Sequence, residues 1–105
     1  MDYALLTLGK SASLITNVLV TKWGSEVVVS CLYEPLGASR SYQLIFKDCH
    51  EVRWQVIEPG AVQDSTADLI GFSIGTGSHR EAAVFTTDTF ELSIIYGSFV
   101  LQKDW

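Results

Sequence analysis

The sequence predicts an all-β, mostly antiparallel chain: a small β-sandwich or barrel of about seven or eight short strands. Three observations carry that expectation. Valine, isoleucine and threonine number 25 and aromatic residues 12 among 105, so more than a third of the chain favours a pleated, half-buried surface. Strong helix formers are few, with seven alanines, one methionine, and seven lysines and arginines together. Apolar residues recur with a period of two, in short segments set apart by clusters of glycine, proline, serine and aspartate.

Taken in order, Leu14–Val20, the turn Trp23-Gly24-Ser25 and Glu26–Tyr33 read as strand, turn, strand. Val27, Val29, Cys31 and Tyr33 share one face of the second strand, and Val28, Ser30 and Leu32 the other. Glu34-Pro35-Leu36-Gly37 ends it, because proline has no amide hydrogen for a central ladder. Tyr42, Leu44 and Phe46 then alternate with Gln43, Ile45 and Lys47, and Val52, Trp54 and Val56 with Arg53 and Gln55. Only Asp48-Cys49-His50-Glu51 lies between, so a hairpin with a short loop is expected, with Trp54 in the core of its second strand. Glu58-Pro59-Gly60 closes that unit.

Ser65-Thr66-Ala67-Asp68 has a hydroxyl three residues before an acid, as at a helix start. A short helical turn near 65–70 is expected there, leading into a strand through Leu69–Gly75, and this segment is what an α+β alternative would rest on. The remaining units are Ala82–Thr87, the turn Asp88-Thr89, Phe90–Tyr96, the turn Gly97-Ser98 and Phe99–Gln102, which read as a three-stranded meander. Phe99, Leu101 and Trp105 fall on one face of an extended tail. No repeat or linker divides residues 1–105, so a single β domain is expected. The residues carry no resemblance to a known family.

The net charge is −5, and it is unevenly placed. Residues 1–53 hold five basic and five acidic side chains, whereas residues 54–105 hold two and seven. Without a basic cluster, neither nucleic acid nor an anionic membrane surface is an expected partner. The first residues lack a basic region followed by a long apolar run, so no secretory signal is read. Cys31 and Cys49 are taken as free thiols in a reducing cytoplasm, not as a bridge.

Chemistry-bearing residues are sparse. Gly75, Gly77, Ser78, His79 and Arg80 form the best candidate ligand loop, since amides of a glycine-rich turn can cradle an anion beside an arginine. The loop lacks the third glycine of a dinucleotide fingerprint and the lysine of a P-loop. Cys49 and His50 are adjacent, which suggests an activated thiol, but neighbours in extended backbone diverge. Cys31, Cys49, His50 and His79 lack the close cysteine pairs of a structural zinc site. Glu58, Asp64 and Asp68 do not match a calcium loop. No cofactor or metal is therefore expected.

The expected role is a non-enzymatic binding or interaction module, in the class of a small adaptor, an immunity-type protein or a regulator. The alternative is a cryptic enzyme or ligand site using Cys49 or His50 with His79 and the 75–80 loop. A mean hydropathy of +0.24 and strands apolar on both faces, such as Val27-Val28-Val29, point to self-association, most simply a homodimer.

Overall fold

A computed structural model describes residues 13–33, 40–57 and 67–103. Among them are eight strands: β1 (Ser13–Thr21), β2 (Glu26–Tyr33), β3 (Arg40–Lys47), β4 (Glu51–Val56), β5 (Ala67–Ser73), β6 (Ala83–Thr87), β7 (Phe90–Ile95) and β8 (Ser98–Lys103). All pairings are antiparallel. Two four-stranded sheets result, β1-β2-β3-β8 and β5-β6-β7-β4, joined where Leu14 and Ile15 of β1 pair with Asp68 and Ala67 of β5. The all-β sandwich is thus the observed fold.

The expected alternation fixes the core. Val27, Val29 and Cys31 of β2 are buried, as are Tyr42, Leu44 and Phe46 of β3. Phe72, Phe85, Leu92 and Ile94 are buried from the second sheet. Phe46 meets Phe85 edge-on at 5.8 Å and Tyr96 at 4.9 Å between ring centroids, the geometry the aromatic quadrupole prefers. Polar groups in this core find partners. Tyr96 donates its hydroxyl to the Ile74 carbonyl at 2.7 Å, and Tyr42 donates to Ser13 Oγ at 3.0 Å. Buried Thr87 closes the β6–β7 turn, its Oγ1 accepting from the amides of Thr89 and Phe90 and donating to the Phe90 carbonyl.

Several connections differ from the expected ones. β3 and β4 are not a hairpin: β3 pairs with β2 and β8, and β4 pairs with β7. The last three strands are not a meander either, because β8 leaves β7 for β3. Both differences have one cause. The segments β3–β4 and β7–β8 lie side by side as a long antiparallel ribbon, and both pass from one sheet to the other at residues 48–50 and 96–97. Lys47 pairs with Ser98 before the crossing and Glu51 with Ile95 after it. Three residues thus face two, a bulge that bends the ribbon. Gly97 N–H donates to the carbonyls of Lys47 and Asp48, and His50 N–H to that of Ile95 at 2.8 Å.

The crossing also explains Trp54. In the second sheet β4 becomes the outer strand, and Trp54 is 50% exposed, stacked on Phe90 at 4.1 Å. Alternation is real in β4, but an edge strand has too little sheet opposite it to bury either face. The expected helical turn is not found at 67–70 either, since β5 begins at Ala67; residues 65 and 66 lie outside the described residues. Ala67 and Leu69 are buried, and the period-two burial outweighs the capping signal. A bulge at Ile70 leaves that side chain exposed. The turns at 34–37 and 58–60 and the terminal Trp105 lie outside the described residues.

Phe46→Ala should lower unfolding free energy by about 3–5 kcal/mol, as for deletion of a buried aromatic. Trp54→Ala should cost roughly half that or less in the same denaturant melts. Equal costs would mean that β4 is covered in solution.

Candidate functional site

Three loops meet at one end of the sandwich. The β1–β2 connection is a 3-10 turn, Lys22–Gly24, whose residues all stand at positive φ, with Trp23 at 62°. It is closed by Ser25, which donates from its amide at 3.2 Å and its hydroxyl at 2.8 Å to the Lys22 carbonyl. The Ser25 carbonyl accepts from Cys49 N–H at 2.9 Å, which ties this turn to the sheet crossing at 48–50. The crossing is in turn tied to the 75–80 loop. Ser78 N–H donates to Gly97 O at 3.0 Å and His79 N–H to Tyr96 O at 2.9 Å. All five non-glycine residues with positive φ among the described residues, Lys22, Trp23, Asp48, Ser78 and His79, belong to these loops. Each costs on the order of 1 kcal/mol in an L-residue. Backbone held in such conformations tends to gather where a molecule makes contacts.

The tip of the first loop is Trp23, fully exposed and preceded by Leu19 and Val20, each about half exposed. Beside it a shallow cleft is lined by Lys22, Ser25, Glu26, Lys47 and Asp48, and Lys22 pairs with Glu26 at 2.9 Å. Sequence reading placed Trp23 in a turn but did not single it out. A tryptophan among turn residues was the available signal.

Of the loop residues singled out in the sequence, Gly75 stands at φ 69°, where a Cβ would collide with the carbonyls of Glu81 and Ala82. Gly77 packs against the Gly97 carbonyl, 2.8 Å from where its Cβ would be. The amides of Thr76, Ser78 and His79 donate to carbonyls within the fold, so these three point at protein. Arg80 is exposed on the same turn. Thr76 Oγ1 donates to Glu81 across the base of the loop at 2.9 Å.

His79 turns toward the crossing and meets His50. Their rings stack at 3.5 Å with 5° between planes. Asp48 faces both: its Oδ2 lies 3.2 Å from His79 Nε2 and its Oδ1 3.9 Å from His50 Nε2. His79 Nε2 also lies 2.8 Å from the Asp48 carbonyl oxygen, which only a ring N–H can satisfy. Asp48 stands in the chemically capable stretch Asp48-Cys49-His50-Glu51, but nothing in the sequence links position 48 to position 79.

Cys49 is turned the other way. It is buried and donates from Sγ to the Phe46 carbonyl at 3.5 Å. Burial pushes its thiol above the ordinary 9.0, helped by the carboxylates of Asp48 and Glu26 and opposed by a hydrogen bond with the Val27 backbone. Cys31, deep in β2, is pushed up to about 12 by burial, against a lowering hydrogen bond from Tyr42. Both cysteines are free, and neither environment favours the thiolate that nucleophilic chemistry needs. No helix among the described residues is long and apolar enough to cross a membrane. No family model matches the chain, and none of the curated proteins does.

The Cys31 thiol carries a pH signature. Between its unfolded value near 9.0 and its folded value of about 12, the unfolded chain loses a proton that the folded one keeps. Stability should therefore fall as pH rises through that window. Denaturant midpoints measured from pH 8 to about 12 should fall less steeply in Cys31→Ala than in the natural chain.

Proposed function

We propose that the chain is a non-enzymatic binding module, in the class of a small adaptor, an immunity-type protein or a regulator, which grips a protein partner through its loop end. The observation that carries this reading is Trp23, a fully exposed tryptophan on a left-handed turn. Tryptophan is over-represented among residues that dominate binding energy. Its large rigid ring in water gives the monomer nothing, while the φ of 62° costs it stability. Leu19 and Val20, exposed beside it, extend the apolar contact. Arg80 and the rest of the 75–80 loop would add polar contacts at the rim. Two buried free thiols accord with a reducing cytoplasm as the working compartment.

A second reading, self-association, is favoured by a different observation. β4 is an outer strand with Trp54 and Val56 each about half exposed, as is Ile57 just beyond it. An apolar edge of this kind invites pairing with another strand, and twofold homodimers are the commonest closed assemblies.

Trp23→Gly separates stability from binding. Glycine takes positive φ without strain, so the variant should gain about 1 kcal/mol in denaturant melts. It should also lose the partner that the natural chain retains in a pull-down from its own cells. Equal capture by both proteins would move the contact surface elsewhere. For self-association, light scattering across a size-exclusion peak should give twice the 11.6 kDa chain mass, and Val56→Lys should return it to the monomer value.

A further inference from the structure

We propose that Asp48, His50 and His79 form a binding site for a divalent transition-metal ion of the zinc type. One donor atom from each of the three lies within 4.8 Å of the others. A tetrahedral zinc site with bonds of about 2.0–2.1 Å has ligand–ligand edges of roughly 3.4 Å. The Asp48 carboxylate reaches both rings at separations of that order, 3.2 Å from Oδ2 to His79 Nε2 and 3.9 Å from its other oxygen, Oδ1, to His50 Nε2. The two imidazoles are already neighbours, their rings stacked 3.5 Å apart between centroids; because each lone pair lies in its ring plane, one ring must turn out of the stack for both to face a common ion. Two imidazoles and one carboxylate suit zinc, nickel or copper, whereas calcium and magnesium require oxygen-rich cages.

The backbone that carries the three ligands is held in place before any ion arrives. His50 is tied by its amide to Ile95 O and His79 by its amide to Tyr96 O. The carbonyl of Asp48 accepts from Gly97 N–H at 3.1 Å. Asp48 and His79 both stand in left-handed backbone, at φ 54° and 61°. Gly97 leaves space for the carboxylate, since a Cβ there would lie 2.9 Å from Asp48 Oδ2. A site whose backbone is already fixed has less conformational entropy to lose on binding. His50 is exposed, and its side chain needs only to swing its ring for the lone pair to aim at the ion.

Coordination replaces one hydrogen. In the free protein His79 Nε2–H faces the Asp48 carbonyl. With the ion on Nε2, that hydrogen moves to Nδ1 and the ring stays neutral. Three protein ligands leave one position for water, the arrangement of an open site.

The test uses the full chain, zinc chloride in a calorimetric titration and cobalt(II) chloride as a spectroscopic probe. The natural chain should take up one zinc per molecule and give the intense visible absorption of four-coordinate cobalt. His50→Ala removes an exposed ring, and His79→Asn keeps a residue that tolerates left-handed backbone. Each should weaken zinc binding at least about tenfold, the scale on which zinc sites respond to loss of a ligand's support. Replacing both cysteines by serine should leave binding unchanged. Imidazole nitrogen NMR of the natural chain should show His79 passing from the Nε2–H to the Nδ1–H form as zinc is added. Absence of zinc binding, or binding that survives both histidine variants within twofold, would overturn the site. So would loss of binding with the cysteines.

Discussion

Where residues 48–50 run opposite residues 96–97, three backbone units face two, and a ribbon of paired strands bends from one sheet into the other. The geometry is demanding because an unpaired amide inside such a bend costs about 1–3 kcal/mol. Here the extra unit is accommodated: Cys49 N–H reaches across to the Ser25 carbonyl, and Gly97 N–H is shared between two carbonyls. Just before the bend, Phe46 packs against Phe85 of the second sheet and Tyr96 of the crossing. The same bend exchanges the order of the strands. β3, inner in the first sheet, continues as β4, outer in the second, while inner β7 continues as outer β8.

The loop end is a by-product of that bend. The β1–β2 turn and the 75–80 loop both find backbone partners on the crossing. Side chains far apart in the chain are thereby fixed within a few ångströms, which is how Asp48, His50 and His79 meet. Four of the five strained non-glycine residues there, Lys22, Asp48, Ser78 and His79, make backbone bonds within these loops, which help to hold their conformations. Trp23 is the fifth, with its ring in water.

Local alternation made much of the fold legible. Tyr42, Leu44 and Phe46, like Val27 and Val29, announce their buried face through a period of two, which is a property of single strands. What period two cannot give is the neighbour. Val52, Trp54 and Val56 alternate as well as any segment, yet whether such a face is buried depends on which strand lies beside it, and β7 is some 40 residues away in the chain. Proximity in sequence made β3 and β4 look like a hairpin for the same reason. At the candidate site, His50 and His79 were named as possible partners from their chemistry alone. Their meeting and the entry of Asp48 depend on a bend that no local pattern encodes. The divergence of Cys49 from His50 was readable, because successive side chains in extended backbone oppose one another.

The exchange of strand order has a consequence for synthesis. On a ribosome β3 emerges well before β8, the strand that pairs with its outer side through Phe46–Phe99 and Ile45–Val100. Until β8 appears, β3 presents an unpaired ladder carrying Leu44, Ile45 and Phe46. Strand pairings this distant close slowly, because the intervening chain must first be confined. The nascent molecule thus passes through an interval in which a core strand is open to other chains. Lys47, at the end of that strand, together with Asp48, places charge where a neighbouring chain would dock, in the manner of gatekeeper residues that guard unavoidable apolar strands.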